Sequence, residues 1–186
     1  MTLFINSCPR KDSRTKKIAD ALLNKLGTFV EVDLNQLELK PIDDERLNKR
    51  NELLQGGHLD AEEFALARQF ALADTIVIAA PLWDLSFPSI LKLYIENIYI
   101  SGIVSKYGPD GRPVGLCNAK TLYFVSTSGG PFDARYGYEY LSSLCKEYFG
   151  IPETKLIVAE NLDIIGNDAD EICKLTIENL RRVLFD

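Results

Sequence analysis

No two cysteines in this sequence lie close enough to form a C-x-x-C pair: the four stand apart at Cys8, Cys117, Cys145 and Cys173. With His58 as the only histidine, the ligand clusters of a zinc or iron–sulfur centre are missing, and no metal site is expected. Free thiols then point to a reducing, cytoplasmic location. There is no apolar run of the roughly 18 residues that a membrane span needs, and no basic segment followed by a long apolar one at the start, so no membrane partner is expected. Positive charge is also scarce. Twenty-one Lys and Arg face 27 Asp and Glu, a net charge of −6, which argues against a nucleic-acid partner held by clustered cations. Neither G-x-G-x-x-G nor G-x-x-x-x-G-K-[ST] occurs, which excludes the dinucleotide fingerprint and the P-loop.

What is present reads as an ordinary globular chain, 46% hydrophobic and 26% charged over 186 residues, and is expected to form one domain over 1–186. Short β-branched or alternating runs at Leu3–Ile5, Phe29–Leu34, Thr75–Ala80, Thr121–Ser126 and Lys155–Ala159 predict five strands. Helical periodicity separates them. Ile18 to Leu26 is closed by Gly27, a short helix is capped by Asp43, another over 61–73 is capped by Asp60, and Ile90 opens one to about Tyr99. Two more are predicted over 134–149 and from an Asp168 cap to about Leu184. Pro109-Asp110-Gly111 centres a turn flanked by Val and Tyr, predicting a small two-stranded excursion near 103–116. Strand–helix alternation predicts an α/β fold: a doubly wound five-stranded parallel sheet with right-handed crossovers, in the order 2-1-3-4-5 of flavodoxin-like proteins.

In that order the loops after the first, third and fourth strands share one sheet edge, at the switch point where ligands bind. The first, Ser7–Thr15, offers the hydroxyls of Ser7, Ser13 and Thr15, the Arg14 guanidinium and the free amides of a helix start: either an anion site, or a loop in which Ser13 merely caps the helix. The second, Pro81–Pro88, is unusually apolar for a connection. Trp83, Leu85 and Phe87 either plug the end of the core or help form a wall for a flat ligand. Asp84 between them either caps the next helix or lies near a bound ring and lowers its potential. The third, Thr127-Ser128-Gly129-Gly130, is either a plain turn or small enough for backbone to approach a planar ring. A phosphate at one end and a heterocycle between two loops describe a mononucleotide, and FMN is the natural candidate.

Three segments then resemble the FMN-dependent NADH-azoreductase family, relatives of the NAD(P)H:quinone oxidoreductases. Leu3–Lys17, with Ser7 and Ser13-Arg14-Thr15, is similar to the family's phosphate loop. Pro81–Lys92 is similar to its P-x-Y-N-F-x-x-P-x-x-L-K segment, with Trp83 and Asp84 where the family usually has Tyr and Asn. Thr127–Gly130 is similar to its S-x-G-G loop. The resemblance implies FMN as cofactor, NADH or NADPH as donor, and a small flat electron acceptor such as a quinone or azo compound. It further implies that Ser7, Ser13, Arg14 and Thr15 hold the FMN phosphate, that Leu82, Trp83, Asp84, Leu85, Thr127, Ser128, Gly129 and Gly130 contact its ring, and that the protein is a homodimer. Hydride then passes through the flavin in a ping-pong cycle, and the cofactor rather than a catalytic side chain carries the chemistry. The alternatives are a flavodoxin-type single-electron carrier and a flavin-binding redox sensor without nicotinamide turnover.

Overall fold

The computed structural model describes residues 1–185. In chain order the elements are β1 (Thr2–Asn6), α1 (Arg14–Leu26), β2 (Phe29–Asp33), α2 (Asp44–Gln55), α3 (Ala65–Leu72), β3 (Thr75–Ala79) and α4 (Ser89–Ile98). They continue with β4 (Ser105–Tyr107), β5 (Pro113–Gly115), β6 (Thr121–Thr127), α5 (Tyr138–Leu144), β7 (Glu153–Ala159), α6 (Ala169–Glu178) and α7 (Leu180–Phe185). The main sheet has the order β2-β1-β3-β6-β7, all neighbours parallel. This is the expected 2-1-3-4-5 order, with β6 and β7 as its fourth and fifth strands. The predicted excursion is the antiparallel hairpin β4–β5, a separate two-stranded sheet.

Alternation along each strand sends neighbouring side chains to opposite faces. Leu3, Ile5, Ile76, Ile78, Leu122 and Phe124 pack with Phe70, Leu91, Tyr94, Ile95 and Phe149 on the face covered by α3, α4 and α5. Phe4, Val77, Ala79, Tyr123 and Val125 pack with Ile18, Leu22, Leu23 and Cys173 on the face covered by α1 and α6. Both faces being buried, the strands read as continuous apolar runs rather than alternating ones. Burial of this apolar surface stabilises the fold by roughly 25 cal/mol per Å² removed from water.

Helix caps follow the sequence in three places. Ser13 Oγ accepts from Lys16 N–H at 3.2 Å, Asp43 Oδ1 from Arg46 N–H at 2.9 Å, and Asp168 Oδ1 from Asp170 and Glu171 N–H at 2.9 and 3.1 Å. Four expectations are corrected. Asp60 caps nothing: Arg68 Nη1 takes the carbonyls of Leu59 and Ala61 at 2.9 and 2.6 Å, the chain makes a short turn over Glu62–Phe64, and α3 starts at Ala65. The helix expected from residue 134 begins only at Tyr138, because Asp133 binds Arg135 backbone and guanidinium and holds the preceding chain in a turn. It widens to a π turn over Cys145–Phe149 before Gly150. The last helix is two, divided at Asn179. The fifth strand of the sheet starts at Glu153 rather than Lys155, in register with Thr121.

Candidate active site

Parallel strands bring the three loops to one edge, and backbone hydrogen bonds lock them together there. Ser7 N–H donates to Ala79 O at 3.0 Å, Leu82 N–H to Thr127 O at 2.9 Å, and Ser128 N–H to Ala159 O at 3.0 Å. Between the loops lies a cavity of about 590 Å³, within the usual range for small-molecule sites. Pro9, Arg10, Ser13, Arg14, Thr15 and Lys17 line one side; Pro81, Leu82 and Trp83 line another; Thr127, Ser128, Gly129, Leu162 and Asp163 close it.

Eight of the twelve expected site residues therefore share one cavity: Ser13, Arg14, Thr15, Leu82, Trp83, Thr127, Ser128 and Gly129. Ser7 does not reach it. Its side chain is fully buried and the hydroxyl donates to Ala79 O at 2.9 Å, tying the first loop to β3. Asp84, Leu85 and Gly130 also lie off the cavity wall. The other hydroxyls are partly committed as well. Thr15 and Thr127 share a 2.7 Å hydrogen bond, which joins the first and third loops, and Ser128 Oγ donates to Gly130 O at 2.6 Å. The first turn of α1 supplies backbone N–H groups without intrahelical partners, and its dipole adds to the anion preference.

The second loop is a two-residue hairpin turn. Trp83 N–H donates to Ser86 O at 2.9 Å and Ser86 N–H to Trp83 O at 2.8 Å. Asp84 and Leu85 between them have φ of +48° and +69°, the left-handed region that a type I′ turn demands and that Leu adopts at a cost. This excludes one of the two readings at each place. Asp84 does not cap α4, which begins after Pro88 with no side-chain cap. Trp83 and Leu85 do not plug the core, being 45% and 58% exposed; Phe87 does, 8% exposed and stacked edgewise on Phe124. Ser86 Oγ donates to Tyr136 O at 2.7 Å and pins the turn to the stretch before α5.

Sequence reasoning missed Arg10 within the anion loop, Lys17 just after it, and the loop after β7. The basic composition of 10–17 was the available signal for the first two. Lys17 pairs with Asp12 at 2.6 Å, which holds the Asp12 carboxyl below its usual range. Cys8, buried in the same loop, has its thiol pushed up to about 11 by burial, so it is protonated and inert near neutrality.

Residues 1–184 match the family described as Flavodoxin-like fold. The chain belongs to that family. Within it, the chain is 37% identical over 188 residues to FMN-dependent NADH:quinone oxidoreductase 2 of Clostridium acetobutylicum, covering 95% of this chain and 92% of that protein. It is 32% identical to the FMN-dependent NADH:quinone oxidoreductase of Coprothermobacter proteolyticus, covering 91% and 90%. Among solved structures, the azoreductase from Bacillus anthracis str. Sterne superposes with a TM-score of 0.83 at 26% identity, covering 98% of this chain and 97% of that one.

Proposed function

We propose that this protein is an FMN-dependent NADH oxidoreductase that reduces quinones, azo compounds and related flat acceptors. The observation that carries the reading is the single cavity that sets a helix N-terminus with Arg14 and Thr15 against the wall of Pro81, Leu82 and Trp83. One end of it suits a phosphate and the other a planar ring, which is the chemistry of a mononucleotide. Full-length relatives that carry FMN and NADH in their names support the same assignment. The electron-carrier alternative is not favoured, because those relatives are named as oxidoreductases.

Bound FMN supplies the hydride chemistry between NADH and acceptor. The chain's own residues bind and orient. Ser13, Arg14, Thr15 and the first-turn amides of α1 hold the phosphate, and hydrogen bonds to such a charged group contribute about 1.5–3 kcal/mol each. Leu82, Trp83, Thr127, Ser128 and Gly129 border the ring. Asp84, Leu85 and Gly130, off the cavity wall, would shape the turns that carry these residues. Ser7 acts through the first loop, which its hydroxyl anchors to β3.

Three further statements belong to the proposal. The chain is one FMN-binding domain over 1–186, supported by the single five-stranded sheet with a core on each face. It works as a homodimer, supported by large apolar side chains left exposed beside the site and on the hairpin: Trp83, Leu85, Tyr107, Val114 and Tyr136. Its location is the cytoplasm, supported by four scattered cysteines. Among the described residues no helix is long and apolar enough to cross a membrane.

The test is direct. Purified protein supplemented with FMN is expected to retain the flavin through gel filtration, to elute at twice the chain mass, to have its flavin bleached by NADH, and to turn NADH over catalytically when a quinone or azo dye is added. Protein that retains no flavin, or a flavoprotein that NADH leaves oxidised, overturns the assignment. Elution at the mass of one chain overturns the dimer alone.

A further inference from the structure

The loop after β7 lies across the third site loop like a strap. Asn161 N–H donates to Gly130 O at 3.0 Å, Leu162 N–H to Ser128 O at 3.1 Å and Asp163 N–H to Gly129 O at 2.9 Å. Asn161, at φ +63°, turns the chain into this pairing. The strap sets the Asp163 carboxylate directly over Gly129, where a Cβ would lie 2.4 Å from Asp163 Oδ2. With no side chain at Gly129, the Asp163 carboxylate can lie over that backbone at the rim of the cavity. That carboxylate reaches the Arg14 guanidinium, Nη1 to Oδ1 3.6 Å, and both residues line the same cavity.

From this geometry we infer that Asp163 is a positioning residue that masks Arg14 and thereby sets how strongly the site takes a phosphate. The inference rests on the FMN reading above. Both side chains are open to water, 45% and 76% exposed, and the contact is long for a charge-assisted hydrogen bond. Such a pair is weak and exchangeable. A phosphate arriving at the first turn of α1 must draw Arg14 away from Asp163 and so forgoes that pair. Asp163 therefore lowers the affinity for the phosphate end of the ligand while leaving the ring end untouched. The nearby Asp12–Lys17 pair at 2.6 Å tempers another cation of the cavity in the same way, and with Asp170 the three basic residues Arg10, Arg14 and Lys17 face three carboxylates.

The experiment titrates flavin-stripped full-length protein with FMN and with riboflavin, which lacks the phosphate, following flavin fluorescence. Asp163→Asn is expected to bind FMN about fivefold more tightly than the parent at low salt, the upper range for an exposed pair. Raising salt from about 0.02 M to about 0.5 M should erase most of the difference by screening. Riboflavin affinity should not change, and Asp163→Glu should behave as the parent. Arg14→Gln should weaken FMN binding, and adding Asp163→Asn to it should have little further effect. Glu178→Gln, with the same charge change at the far end of α6, should leave both affinities as they are. Unchanged or weaker FMN binding by Asp163→Asn, or an equal shift for riboflavin, overturns the masking role and leaves the cofactor assignment standing. A parent protein that binds riboflavin and FMN equally, or neither, overturns the phosphate reading and the masking role together.

Discussion

Two tight turns in this chain use left-handed backbone with opposite residue choices. In the β4–β5 hairpin the sequence Gly108-Pro109-Asp110-Gly111 places glycine at φ +76°, and Asp110 Oδ1 accepts from Arg112 N–H at 3.1 Å. Every residue there suits its position. In the site turn, Asp84 and Leu85 occupy two successive positive-φ positions without a glycine. The hairpin is locally self-consistent. The site turn is held from outside, by Phe87 in the core, Ser86 on Tyr136 and Leu82 on Thr127. Backbone strain kept in place by its surroundings is a feature of functional sites, where it pre-organises a surface for a ligand.

The sharpest way to break the hairpin is at its base. Gly115 lies so close to the end of the π turn after α5 that a Cβ would stand 2.0 Å from Gly150 N and 2.2 Å from the Phe149 carbonyl carbon. Gly115→Ala is therefore expected to cost about 3 kcal/mol or more, at the top of the range for overpacking, because backbone on both sides must move. Urea unfolding measures it, and a loss under about 1 kcal/mol contradicts so tight a contact.

Thiol reactivity compares the two regions without a substitution. Cys8 sits in the site loop, with its thiol raised to about 11. Cys117 sits beside the hairpin, raised to about 12; burial is the main cause in both. Against an ordinary thiol of about 8.5, the Cys8 thiolate fraction near pH 8 is lower by roughly a hundredfold or more, and labelling slows accordingly. Cys117 should react more slowly still. The sign for stability follows from the same shifts: the folded protein keeps a proton that the unfolded chain releases above pH 9.0. The contribution of these thiols is thus complete below pH 9.0 and declines as pH rises toward about 11. Fast labelling of Cys8 at pH 8 would mean that the site loop opens locally far more often than the hairpin.

Leu85→Gly tests the strain itself. Relieving a left-handed Leu of about 1–2 kcal/mol, less about 0.5–1 kcal/mol for the added chain entropy of glycine, should raise stability by roughly 0.5–1 kcal/mol. FMN affinity should fall at the same time, because a looser turn must be ordered on binding. Lower stability, or unchanged affinity, removes the link between strain and site. The smallest effect is expected for Asp84→Asn: about 0.3 kcal/mol of added stability, since Asn tolerates this conformation best after glycine.

Much of this was legible along the chain. Five apolar runs, the helix periods between them and the Pro-Asp-Gly turn are local features that tertiary structure had no reason to override, and strand alternation restricts the topology severely. The three loops of the site were legible because a parallel sheet sends every second connection to one edge. Individual side chains were another matter. Ser7 looks like a phosphate ligand beside Ser13, yet strand pairing turns its hydroxyl onto Ala79. Trp83 and Leu85 look like core, yet a two-residue turn projects them outward while the neighbouring Phe87 goes in. Helix starts failed where long-range partners intervened, as with Arg68 on the carbonyls before α3.

The sequence by itself thus determined the order of elements, the caps at Ser13, Asp43 and Asp168, and which loops share one edge of the sheet, because these depend on neighbours three or four residues away or on the handedness of the chain. Only the tertiary structure decided what each loop residue touches. Asp163 stands 34 residues from Gly129 and far along the chain from Arg14, and no pattern in the sequence announces that the three meet. They meet because β6 and β7 are paired in register and β6 lies against α1, and that pairing is fixed by burying both faces of the sheet at once.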